Sequence, residues 1–172
     1  REKIYLMAHS GGSFVGIQAA ARAPDKFAAY IAVGQIASQL KSEVLAYDFM
    51  LGKYGESGNR RMVRRLQETP VSMAGGVPAE YYLVRDVAMH DLGIGTMHGM
   101  RSVVAGLLVP SLLFPEYSLS EKYMFWRAKA RWGISILWET IIATDLTKTL
   151  TKLEVPAYFL SGAFDMTCSY EV

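Results

Sequence analysis

The stretch Ala8-His9-Ser10-Gly11-Gly12 holds the residues whose types and spacing could do covalent chemistry. A serine becomes a nucleophile when its oxygen is held clear of the backbone, beside a base, with N–H donors aimed where an oxyanion develops. A sharp strand-to-helix turn supplies that geometry. Such a turn calls for small residues two before and two after the serine, because larger side chains would collide there. Ala8 and Gly12 meet this demand in a small-x-Ser-x-Gly pattern. The serine then lies at a helix N-terminus, where the dipole favours negative charge, and the Gly11 N–H becomes an oxyanion donor. The pentapeptide alone arises by chance, so its weight depends on the elements around it.

Those elements read clearly. Residues 4–8 form a continuous apolar run between charge and glycine, the pattern of a strand buried on both faces of a parallel sheet. Residues 13–23 read as an Ala-rich helix stopped by Pro24, and 27–33 as a second buried strand, giving a strand-turn-helix-strand unit. The character then turns helical as far as about residue 150. Leu40, Val44, Tyr47, Leu51 and Tyr54 mark one apolar helix face. A basic helix is expected at 59–68 and another helix at 78–90, before a break at Gly93 and Gly95. Ser118 and Glu121 have capping-box spacing ahead of an aromatic helix at 122–132, with 134–142 continuing helically. Asp145 can cap a short helix through Leu153, and 157–160 read as a third buried strand running into the turn at Asp165. The expectation is an α/β chain of three parallel core strands with a large helical insertion: core at 1–35, helical cap at 36–144, core again at 145–172.

Two segments carry a family resemblance. IYLMAHSGGSFVGIQAAARAPDKFAAYIAVGQ resembles the nucleophile strand, elbow, following helix and next strand of the α/β-hydrolase superfamily. LTKLEVPAYFLSGAFD resembles its later element, a strand after a Val-Pro entry that ends in Gly-x-x-Asp. Gly34-Gln35, Glu121-Lys122-Tyr123 and Arg131-Trp132-Gly133 are most similar to proline iminopeptidase-like members. In that family the triad runs Ser, acid, His along the chain. The resemblance therefore implies Ser10 as nucleophile, Asp165 as the acid that orients the histidine, and the helical block as the cap over the substrate. Read without the family, Asp165 is also an ordinary turn former.

The chain departs from the family in its histidines. The base is expected beyond Asp165, and none of the residues that follow is His. His9 takes the variable position of the elbow, while His90 and His98 fall in the cap, in the wrong chain order, and read as ordinary cap residues. The second oxyanion donor would come from a loop ahead of Arg1. The expectation is a central-to-late fragment of a longer hydrolase, inactive alone. Its residues 4–8, a central strand in the family, would form an exposed apolar edge prone to self-association.

Composition bounds the rest. A chain of 172 residues with 51% hydrophobic and 20% charged positions can bury a core and is not disordered. With 18 basic and 16 acidic residues the net charge is only +2, which gives no reason to expect nucleic acid or an anionic membrane as partner. The single cysteine, Cys168, excludes an intrachain disulfide and reads as a small filler beside a loop, in keeping with a cytoplasmic protein. The apolar run 103–114 is too short to span a bilayer and contains Pro110. No cofactor or metal is implied.

His9, Gln35, Tyr123 and Trp126 are candidates for the pocket wall, with Phe125 and Trp132 able either to line it or to pack the cap. Glu43, Glu56, Glu80 and Glu121 are available to a substrate amine, and the Arg60–Arg65 cluster reads as a solvated face. The expected partner is a small ester or a short peptide cleaved through an acyl-enzyme, in the manner of an aminopeptidase. An acyltransferase or a non-catalytic ligand-binding protein on the same fold are the alternatives.

Overall fold

The computed structural model describes residues 2–95, 99–100, 102, 104–132 and 135–172. His98 and the side chain of Trp132 lie outside what it describes. The molecule is of the α/β class, with three parallel strands in the order β1-β2-β3. β1 is Ile4–His9, β2 Phe27–Val33 and β3 Ala157–Leu160. Ala8 stands beside Ala32 and Val33 beside Leu160, so the C-terminal ends of all three strands open on one side. α1, Gly11–Arg22, connects β1 to β2 through a short 3₁₀ turn at Pro24–Lys26.

α1 lies close on the sheet because two small residues face each other. A Cβ on Gly16 would stand 2.8 Å from the Ala8 Cβ and 3.2 Å from the Tyr30 ring. Phe14, Ile17 and Ala20 fill the contact against Tyr30, Ala32 and Ile36. The strands are less covered than their apolar runs predict. Ile4, Tyr5 and Met7 of β1 are exposed, as are Tyr158, Phe159 and Leu160 of β3. Only β2 has a strand on each side. β1 and β3 are edges of a small sheet, so the expectation of strands buried on both faces holds for neither of them.

Between β2 and β3 the described residues form seven helices, with no named strand among them. α2 (Gln39–Glu56), α3 (Arg60–Gln67) and α4 (Tyr81–Asp91) enclose a core of their own around Tyr47, Met50, Tyr54, Leu66, Tyr81 and Met89. The buried face of α2 runs through Glu43, Ala46, Tyr47, Met50 and Tyr54, while Leu40, Val44 and Leu51 are only partly covered. The face is turned from the one expected because it carries a buried ion pair that apolar spacing does not register. A π-helical turn at Val104–Leu108 runs into α5 (Val109–Leu113), with Pro110 in its first turn, where its lacking N–H costs nothing.

α6 spans Leu119–Trp132, and its capping box forms as expected: the Ser118 N–H donates to Glu121 Oε2 (2.8 Å) and the Glu121 N–H to Ser118 Oγ (3.3 Å). The expected helix over 134–142 is broken, since residues 136–137 are a turn and α7 is Trp138–Ala143. The Trp138 N–H bonds the Ser135 carbonyl there, starting a new helix. α8, Leu146–Thr149, is capped by Asp145 but ends earlier than expected. The helical segment leaves and rejoins at a narrow neck. The Leu146 N–H donates to the Ala37 carbonyl at 2.8 Å, and Lys41 pairs with Asp145 at 3.1 Å. No described helix is long and apolar enough to cross a membrane.

Candidate active site

Ser10 ends β1 and precedes α1 with φ 48° and ψ −126°. It is the only described non-glycine residue with positive φ. A conformation of that kind costs about 1–3 kcal/mol and persists only where the surroundings impose it. They do so here from both sides. The Ser10 N–H donates to the Val33 carbonyl at 2.9 Å, and the Ser10 carbonyl accepts from the Ser13 N–H (2.8 Å) and hydroxyl (2.5 Å). Ser13 is fully buried, and its Oγ accepts from the Ile36 N–H at 2.9 Å, which ties the turn to the exit of β2.

Gly12 is not the small residue on which the turn depends. A Cβ on Gly12 would meet nothing within 4 Å, so that glycine relieves no collision. The close approach lies instead between Ala8 and Gly16. Gly11 heads α1, so its N–H has no acceptor within the helix and is available to a ligand.

Ser10 and Gly11 open on a cavity of about 720 Å³ between the strand ends and the helical segment. Trp126, Phe125, Trp138 and Met89 supply apolar wall, and Gln39, Arg85 and His90 supply polar wall. Of the expected pocket residues, Trp126 and Phe125 are placed there. His9 is exposed at the end of β1. The Gln35 amide is taken up in holding the elbow: its Nε2 donates to the Ile36 carbonyl (2.7 Å) and its Oε1 accepts from Tyr30 (2.7 Å). Tyr123 lies on the far side of α6 and borders a separate groove.

Polar order in the wall comes from residues that apolar spacing does not reveal. Arg85 donates to Glu43 through Nε (2.7 Å) and Nη2 (2.9 Å), and to Asp86 through Nη1 (3.0 Å). Burial works against the Arg85 charge, but the Glu43 carboxylate and then Asp86 leave its pKa raised. Both Glu43 oxygens are thereby taken up by Arg85, and Glu43 is not open to a substrate amine. Glu56 pairs with Lys53, Glu121 is engaged in its capping box, and Glu80 is exposed outside the cavity wall. Gln39 joins the network by donating to Glu43 Oε1 (3.0 Å) and to the Thr167 carbonyl (2.9 Å).

Asp165 sits in the loop after β3. Its Oδ1 accepts from the Thr167 and Cys168 N–H groups, both at 2.9 Å, which is the local turn bonding expected of an Asp in that position. Its Oδ2 faces Gly34, which has φ +60° and would carry a Cβ 3.5 Å from that oxygen. No described hydrogen bond joins Asp165 to Ser10. Cys168 stands between them. Burial pushes its thiol up to about 12, the Asp165 charge adds to this, and the Ser10 hydroxyl as hydrogen-bond partner opposes it. The thiol is therefore neutral at physiological pH and packs as a small buried filler beside the loop, as expected.

His90 lies in the cavity wall with Nδ1 2.5 Å from the Asp86 carbonyl. A carbonyl only accepts, so Nδ1 donates to it, and the buried Nε2 has no hydrogen-bond partner among the described residues. Among the described residues no group of three or more His, Cys, Asp or Glu side chains could hold a metal. In comparison with known proteins, the chain matches no family model, no curated protein and no solved structure.

Proposed function

We propose that this protein is a serine hydrolase of the α/β-hydrolase type, acting on an ester or amide of a small substrate, with an N-terminal peptide bond as one such amide. The observation that carries the reading is the backbone of Ser10, forced to positive φ at a strand-to-helix turn that opens on a cavity. In this mechanism the Ser10 oxygen attacks the carbonyl carbon and its proton passes to a general base. The Gly11 N–H stabilises the oxyanion, the alcohol or amine leaves with a proton, and water releases the acyl group. The base in this reading is a histidine oriented by Asp165 through Oδ2. Neither His9 nor His90 makes a described hydrogen bond to Ser10 or Asp165, so neither is placed as that base, and labelling of Ser10 is expected to be slight unless a base is added.

A second reading, a ligand-binding protein without catalysis, is favoured by the cavity itself, whose apolar wall carries an ordered polar side at Gln39 and Arg85. An added base separates the two. Labelling of Ser10 by a fluorophosphonate probe, read by mass spectrometry, is expected to be slight in buffer and to rise with millimolar imidazole. The Ser10→Ala variant is the blank. Absence of imidazole-dependent labelling at Ser10 favours the binding protein, and strong labelling without imidazole overturns the expected inactivity.

The same reading makes β1 the place for a further strand. Its exposed Ile4, Tyr5 and Met7 are a template for pairing with a second copy. Size-exclusion chromatography is expected to show a mass above the monomer's, and a stable monomer would count against the pairing.

A further inference from the structure

We propose that the α5–α6 face of the helical segment docks on an anionic lipid bilayer surface. Around α6, Leu119, Tyr123, Trp126 and Ala130 recur at three- and four-residue spacing and form one stripe. Lys122 and Lys129 flank it on one side, Arg127 and Arg131 on the other. This is the arrangement of a helix lying in a membrane interface, with an apolar stripe directed into the lipid and long cationic side chains reaching out to the headgroups.

The stripe is not consumed by packing. Leu119 is 83% exposed and Leu113 76%, and Tyr123, Leu112, Phe114 and Tyr117 are exposed beside them. Between α5 and α6 runs an apolar groove of about 380 Å³, lined by Leu108, Leu112, Leu119, Tyr123 and Trp126, with Lys122 and Arg127 at its rim. The groove is held open by polar bonds: Trp126 Nε1 donates to Ser111 Oγ (2.8 Å), which donates to the Leu108 carbonyl (2.8 Å). Trp126 also lines the Ser10 cavity, so the groove and the cavity share a wall.

Charge selects the occupant. Residues 104–132 carry Lys122, Arg127, Lys129 and Arg131 against Glu116 and Glu121, an excess equal to the net charge of +2 of the whole chain. The weak overall charge thus hides a local concentration. Glu121 is held by Ser118 on the other side of α6, and neither Lys122 nor Arg127 pairs with a carboxylate among the described residues. A second copy joined through this face would bring like charges together across a two-fold axis, whereas phosphate headgroups would neutralise them.

The test is co-sedimentation of the full chain with vesicles of phosphatidylcholine alone and of phosphatidylcholine with a quarter phosphatidylglycerol. Binding to the anionic vesicles is expected to exceed binding to the neutral ones roughly tenfold at low salt and to weaken as salt rises. Lys122→Glu with Arg127→Glu is expected to remove that difference. Leu113→Ser with Leu119→Ser is expected to lower binding to both. Arg60→Glu with Arg61→Glu, on the exposed basic α3, controls for charge alone and is expected to change little.

Ser10→Ala should bind like the unaltered protein, so failure of the hydrolase reading leaves this one standing. Equal binding to both vesicles overturns the proposal, as does an α3 effect as large as the α6 effect. A vesicle-independent oligomer abolished by the leucine substitutions would also overturn it, by making a second copy the occupant.

Discussion

The two halves of the helical segment are built from similar residues and end in opposite states. In α2–α4 most large side chains are buried, and several of their polar atoms find partners inside, although the Tyr81 hydroxyl and His90 Nε2 find none among the described residues. The Tyr47 hydroxyl meets the Leu66 carbonyl (3.3 Å), the Tyr54 hydroxyl meets Asp91 (2.9 Å), and Arg85 meets Glu43. In α5–α6 the large side chains are mostly exposed, and the Trp126–Ser111 bond joins the two helices. Hydrophobic content does not separate the halves. Whether each apolar face has a counterpart to close against does. The first half is complete as it stands, and the second presents a surface.

The strongest way to break this contrast is to open the first half. Glu43 is fully buried against Arg85, so Glu43→Ala would leave a guanidinium charge without its partner in a closed core. Losing one member of such a pair costs about 3–5 kcal/mol, more than many domains can lose and stay folded. Urea denaturation followed by circular dichroism measures the loss. Replacing both residues, Glu43→Leu with Arg85→Met, is expected to restore most of the stability, because no charge is then stranded. If the single variant matches the original, the network does not hold α2 to α4 and the contrast between the halves weakens.

That network also marks the limit of the sequence. The turn around Ser10 is legible because its requirements are local: an apolar run, a serine among small residues, then an Ala-rich helix. The range 27–33 for the second strand agrees with the structure for the same reason, since Pro24 and Gly34 bracket it. Glu43 is distant in sequence from Arg85 and His90, and each alone resembles a solvated charge on a helix. Only the packing of α2 on α4 makes them one polar wall. Cys168 is illegible in the same way, because its nearness to Ser10 depends on the β3 loop folding back across the end of β2. Asp165 shows the reverse case. Its position after a strand is plain in the sequence, yet the bonds that Oδ1 makes are those of a turn.

The smallest expected effect sharpens the comparison from the other side. Leu119 begins α6 and is 83% exposed, so Leu119→Ser removes little that folding has buried. The change in unfolding free energy is expected to stay within about 0.5 kcal/mol, the range of surface substitutions that touch no cap or core. The capping box is unaffected, since Ser118 and Glu121 bond each other across the position. A loss of about 2 kcal/mol or more in the same urea titration would mean that Leu119 is covered in solution. The second half would then be a closed core like the first, and neither the contrast nor a free lipid-facing stripe would survive.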